Sequence, residues 1–156
     1  ARPLCEEDLA ACRETLGDRH PDTLTSINNL GMLLKAQGRL DEARPLYEEA
    51  LAARRETLGD RHPHTLVSIG NLGDLLHDQG ALDQAESLLR VAMDDAREVL
   101  GGWHHTTLVS EAKMARLALV RDTAVGIEQL RAVVERMGEA FGADHSQTLK
   151  YAALLP

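Results

Sequence analysis

Apolar residues recur at spacings of three and four along almost the whole chain. In the stretch 21–58, Leu24, Ile27, Leu30 and Leu34 fall on one face of an amphipathic helix. Pro21 suits the first turn, where a missing N–H costs nothing, and Asp22 favours a helix N-terminus. Gly38 follows the last apolar residue and suits a left-handed cap. A second helix begins at Asp41, with Pro45 in its first turn, where backbone N–H groups lack partners anyway. Its buried stripe is Ala43, Leu46, Tyr47, Ala50, Leu51 and Leu58, and Gly59 ends it. The same punctuation predicts helices over 3–16, 22–37, 41–58, 64–79, 83–100, 106–121, 125–141 and 146–155. No strand pattern and no Pro-rich or Gly/Ser-rich linker interrupts them.

The pattern repeats. Residues 1–42 and 43–84 are identical at 31 of 42 aligned positions. A degraded third copy starts at Ala85, and a fourth half-copy ends the chain. Gly101 follows Gly59 by 42 residues, but Gly142 follows Gly101 by 41, so one residue is missing in or near 119–126. A fixed period of this length implies stacked units rather than one globular core. We expect one array over 1–156, with units at about 1–42, 43–84, 85–125 and 126–156 and incomplete ends. The fold class is all-α: an α-solenoid of about eight helices in antiparallel pairs, forming part of a right-handed superhelix. In the third unit no glycine stands in for Gly80, and a local change of superhelix pitch is expected there. Leu30, Leu34, Leu72, Leu75, Leu76 and Leu88 are the expected core.

The signature L-G-x-x-L…G-x-x-D-E-A-x-x-x-Y-x-x-A is carried by Leu30, Gly31, Leu34, Gly38, Ala43, Tyr47 and Ala50. It returns as Leu72, Gly73, Leu76, Gly80, Ala85, Leu89 and Ala92, and in weakened form as Met114, Ala115, Gly126, Leu130 and Val133. This resembles the tetratricopeptide repeat over essentially the whole chain. The 42-residue unit, with L-G-x-x-H-P-x-T-L between copies, is similar to the kinesin-light-chain-like subfamily. The resemblance implies that the first helix of each unit lines a concave groove that binds a protein or peptide partner.

Composition narrows the chemistry. Seventeen basic and 25 acidic residues give a net charge of −8, and aromatic residues make up 3%. Acidity argues against non-specific binding to nucleic acid or anionic lipid, and aromatic poverty against a base-stacking platform. No apolar run approaches a membrane span. On one helix Cys5 and Cys12 lie about 10 Å apart, too far for a disulfide, and read as free thiols of a reducing compartment. An intracellular, cytoplasmic location is expected, or an organellar one if a targeting segment was removed before Ala1. His20, His62, His104 and His145 recur once per unit. Equivalent positions of a solenoid are displaced by one repeat each, so they cannot converge on one ion, and we read them as helix-start residues. Glu6, Glu7, Glu48 and Glu49, and Glu14, Glu56 and Glu98, recur in phase as a solvated helix face. With no phosphate loop, nucleophile elbow or zinc motif, no catalytic residue, metal or cofactor is expected.

The candidate partner-binding residues sit on the first helices: Asn28, Asn29, Met32 and Lys35, then Asn71, Asp74 and His77, then Lys113 and Arg116. Asn29, Asn71 and Lys113 share one phase. A row of Asn can grip an extended peptide backbone, because each amide carries donors and an acceptor. Lys113 and Arg116 can take a carboxylate. The alternative is that Asn is simply the polar residue tolerated there. Trp103, the sole Trp, stands where other copies have Arg19 and Arg61; it covers the degraded unit or anchors a contact. Tyr151, Leu154 and Leu155 close the chain on an apolar note, to be covered by more repeats, another copy or a host complex. Three functions follow: a non-enzymatic scaffold binding a partner's peptide or helix in the groove, a structural accessory subunit of a larger multiprotein assembly, or a sensor repeat fragment of a larger regulatory protein.

Overall fold

A computed structural model describes residues 2–156, with side chains from Leu4 onward. Ala1, where the first unit was placed to start, lies outside the described residues. Among them are eight helices and no strand. They are α1 (Arg2–Leu16), α2 (Pro21–Ala36), α3 (Leu40–Leu58), α4 (Pro63–Asp78), α5 (Leu82–Leu100), α6 (His105–Arg121), α7 (Thr123–Phe141) and α8 (Ser146–Ala152). Each packs on the next in sequence, and α4 also packs on α6.

Local chemistry sets the helix ends. Gly17, Gly38, Gly59, Gly80, Gly101 and Gly142 all have positive φ, between 75° and 99°, a region that costs a residue with a Cβ. The recurring histidines are N-caps. Nδ1 of His20, His62 and His104 accepts the backbone N–H two residues on at 3.2 Å, and that of His145 at 3.3 Å. Pro45 is an exception to its placement: α3 starts at Leu40, so Pro45 falls in the second turn. Asp41, whose carbonyl thereby loses its partner, is exposed and open to water.

The core is built by the small and branched residues of the repeat. Ala43, Ala85 and Ala92 have no exposed surface, and Gly31 lies against the Tyr47 ring, where a Cβ would come within 3.1 Å of it. Leu30, Leu34, Leu72, Leu75 and Leu76 are buried as expected. Four assignments change. Leu58, the last residue of α3, is 39% exposed. Leu46 and Leu88 are half-buried, and the fully enclosed neighbour is Leu89. Tyr151 is wholly buried rather than part of an apolar end, whereas Leu154 remains exposed.

The third unit departs where the residue is missing. Gln37, Gly38 and Arg39 separate α2 from α3, but Asp122 alone separates α6 from α7. Its side chain caps α7 by accepting from the backbone N–H groups of Ala124 and Val125. The core divides within α6. One cluster runs from Leu9 to Ala96 and includes Leu117. A second gathers Leu108, Ala112, Ala115, Leu130, Val133, Met137 and Tyr151.

Two histidines beside the helix N-caps make the array acid-sensitive. Burial, with Arg54 and His62 nearby, lowers the His64 pKa. Burial, with His145 and His104, does the same for His105. A histidine depressed in the fold gives stability that is full above its unfolded value, about 6.5, and lost as pH falls below it. Thermal melts should therefore drop between about pH 7 and pH 5. Replacing His64 and His105 together by Asn, which does not titrate, should remove most of that drop. An unchanged pH profile would show that these two histidines do not carry it.

Candidate functional site

A concave pocket of about 500 Å³ opens across the first helices α2, α4, α6 and α8. Asn28, Met32 and Lys35 of α2 form one wall, Gly70, Asn71, Asp74 and Asp78 of α4 the floor, and Val109 and Lys113 of α6 the other wall. Gln147 and Lys150 of α8 close the far end, and Tyr47 reaches in from α3.

Two polar networks cross the units. Lys113 Nζ donates to Asn71 Oδ1 at 2.9 Å, and Asn71 Nδ2 donates to Asn28 Oδ1 at 3.0 Å. Beside them Lys35 pairs with Asp74 and, at 2.9 Å, with Asp78. Arg116 pairs with Asp74 at 2.7 Å and Asp78 at 2.8 Å. The Asp78 carboxylate also meets His77 Nδ1 at 3.2 Å. The side chains of Asp74 and Lys35 are 9% and 17% exposed, so these are largely desolvated pairs rather than surface ones.

The electrostatics follow. Burial pushes Asp74 up, but Lys113, Arg116 and Lys35 outweigh it and hold the carboxyl below its usual range. Burial likewise opposes ionisation of Asp78, and the bonds from His77 and Lys35 with the Arg116 charge win. Burial and the two carboxylates Asp74 and Asp78 raise the Tyr47 phenol. Lys113 is the exposed weakness: burial, only partly offset by Asp74 and aggravated by Lys150, Lys35 and Arg116, lowers it to about 8. Among the described residues no carboxylate lies within ion-pair distance of its ammonium.

Most of the candidate residues therefore converge. Asn28, Met32, Lys35, Asn71, Asp74 and Lys113 line the pocket, and Arg116 buttresses its acids. Asn29, in phase with Asn71, does not line it and is exposed. Asn71 instead bonds to Asn28, 43 residues back, although Lys113 meets Asn71 at the 42-residue period itself. His77 acts behind the wall, holding Asp78. Trp103 is 57% exposed on the α5–α6 loop, away from the pocket, with the Arg136 guanidinium 5.2 Å from its ring centre. Arg136 also bonds to Glu111, which Arg97 holds as well.

Tyr47, Asp78, Gln147 and Lys150 were not among the sequence candidates. A signal for most of the site was nonetheless present. The first two copies differ at 11 of 42 positions. Six of those 11 pairs, 5/47, 25/67, 28/70, 32/74, 35/77 and 36/78, place at least one residue on the pocket lining. The shared positions build the frame, and divergence concentrates in the groove.

A tetratricopeptide repeat family model matches residues 1–55 and 26–98. Among solved structures, a crystal structure of kinesin light chain nearly identical TPR-like repeats from Podosopora anserina superposes with TM-score 0.71 at 27% identity. It covers 96% of this chain and 71% of that one. A single-residue variant of the same protein gives TM-score 0.72 at the same identity and coverage. BtubC (BKLC) from P. vanneervenii has the same fold, with TM-score 0.72 at 17% identity over 96% of this chain and 60% of that one. No curated protein matches the chain.

Proposed function

This chain belongs to the tetratricopeptide repeat family, and from that premise we propose that it is a non-enzymatic scaffold whose concave groove takes a peptide or helix of a protein partner. The family and the kinesin-light-chain-like neighbours are in general interaction scaffolds without enzymatic activity. One observation carries the reading to the groove: two copies alike at 31 of 42 positions differ chiefly where they line it. A frame that needs only to stack has no reason to diversify its concave face. Met32, 53% exposed on the lining, offers an adaptable apolar contact. Lys113 and Lys150 offer charge to an acidic group, while the Asn28–Asn71 pair is already engaged and serves the wall. The partner is a protein; nucleic acid and insertion into a membrane have no part in this reading. Among the described residues no helix is long and apolar enough to cross a membrane.

The test is a displayed peptide library selected against the folded chain and against Met32→Glu combined with Lys150→Glu. Both side chains are exposed, so melting should move by less than about 0.5 kcal/mol in equivalent stability. Peptides selected by the parent should lose at least about tenfold in affinity for the variant. The same peptides binding both proteins equally would sink the groove reading. The accessory-subunit reading rests on Trp103, an exposed aromatic outside the groove. It predicts that Trp103→Ala, not the groove variant, releases a stoichiometric partner.

A further inference from the structure

The chain contains three lysines, Lys35, Lys113 and Lys150, against fourteen arginines. All three lysines line this concave pocket. They are not equivalent. Lys35 is neutralised by Asp74 and Asp78. Lys150 is exposed, with its ammonium 5.2 Å from the centre of the Tyr151 ring. Lys113 is 7% exposed, donates one hydrogen bond, to Asn71, and has no carboxylate partner among the described residues.

We infer that Lys113 is a nucleophilic amine, a covalent modification site for small aldehydes that carry an anionic group. The groups around it say why. From α2 it faces Lys35, from α4 Asp74 and Asp78, from its own helix Arg116 and His105, from α8 Lys150, and from α3 Tyr47. Four cations stand against two carboxylates, and both carboxylates are spent on Lys35 and Arg116. Desolvation and neighbouring cations are the two devices that free a lysine amine from its proton near neutral pH. The low titration point of Lys113 agrees. With one N–H held by Asn71, the neutral amine keeps its lone pair for the pocket.

The step conserves atoms and involves no oxidation. The Nζ lone pair adds to the carbonyl carbon, and the carbonyl π pair moves to oxygen, which takes a proton. Nitrogen gives up its protons as water leaves, forming a C=N bond. With Lys113 neutral, three cations stand against two carboxylates, and the ligand's anionic group meets the one uncompensated charge, Lys150 at the far end of the pocket. The adduct would occupy the groove, so modification and peptide binding exclude one another. This goes beyond the scaffold reading and does not depend on it.

The full folded chain is treated with glyoxylate and cyanoborohydride at pH 7, and adducts are located by peptide mapping. Lys113 should be alkylated at least about tenfold faster than Lys35 or Lys150, the factor from one pH unit of earlier deprotonation. In the urea-unfolded chain the three lysines should react alike. Lys113→Arg, which keeps the charge and cannot form the imine, should lose that adduct with its melting little changed. Acetaldehyde, which lacks the anionic group, should show a smaller preference. Equal labelling of the folded lysines, or labelling led by exposed Lys150, overturns the proposal. So does a Lys113 preference that persists in urea, because it would come from local sequence rather than the pocket. Acetaldehyde matching glyoxylate overturns the requirement for an anion.

Discussion

Gly126→Ala should destabilise the protein by at least about 3 kcal/mol, far beyond an ordinary helix substitution. A Cβ at this position would lie 2.4 Å from the Leu119 backbone N, 2.6 Å from its Cα and 2.8 Å from the Ala118 carbonyl carbon. These are backbone atoms, so no rotamer change relieves the clash. Earlier copies carry Ala43 and Ala85 at this place, because three residues separate their helices. The missing residue leaves Asp122 to make the turn alone, and α7 starts so close to α6 that only glycine fits. In a solenoid each unit is held by its neighbours, so the damage should appear first in α7, α8 and the second core cluster. Trp103 reports on that joint through its contact with Arg136 of α7. Denaturation followed by Trp fluorescence should shift to lower denaturant than helix loss followed by circular dichroism. Parental stability in this variant would refute the close approach.

Asp74→Asn should cost about 3–5 kcal/mol at pH 7, the penalty for stranding buried charge. The loss leaves Lys35 and Arg116 sharing Asp78 and removes the attraction that keeps Lys113 charged. Adding Lys113→Met should recover part of the loss, so the two changes are non-additive. The signs with pH are distinct. Asp74 and Asp78 are depressed in the fold, so their contribution is present above about pH 4 and fades as pH falls through their folded values. Lys113 is depressed to about 8. Between there and its unfolded value of about 10.4 the unfolded chain binds more protons, and stability rises with pH. Lys113→Met alone should therefore stabilise at pH 7, with the gain fading toward about pH 10. An Asp74→Asn variant within about 1 kcal/mol of the parent would mean that Asp78 and water suffice.

By itself the sequence determined what local interactions decide. The 42-residue period, the helices to within three residues, the glycine ends and the proline starts are all set by residues within a turn or two of one another. The alternation of small and large apolar positions was legible for the same reason, although the exposure of Leu58 and the burial of Leu89, which packs against Gly73, depend on the neighbouring helices. The candidate groove was legible as a helix face. Aligning the copies points to Asn29 as the partner of Asn71, but the stacked helices bring Asn28 there instead. Tertiary structure alone decided that Lys35 and Arg116 are consumed by Asp74 and Asp78. It also left Lys113 buried with no carboxylate in ion-pair contact and placed Lys150, from a degraded fourth copy, in the same pocket. The physical reason is range. Helix ends and amphipathic faces are fixed by neighbours along the chain, whereas desolvation and charge pairing are fixed by side chains some 38 to 43 residues away.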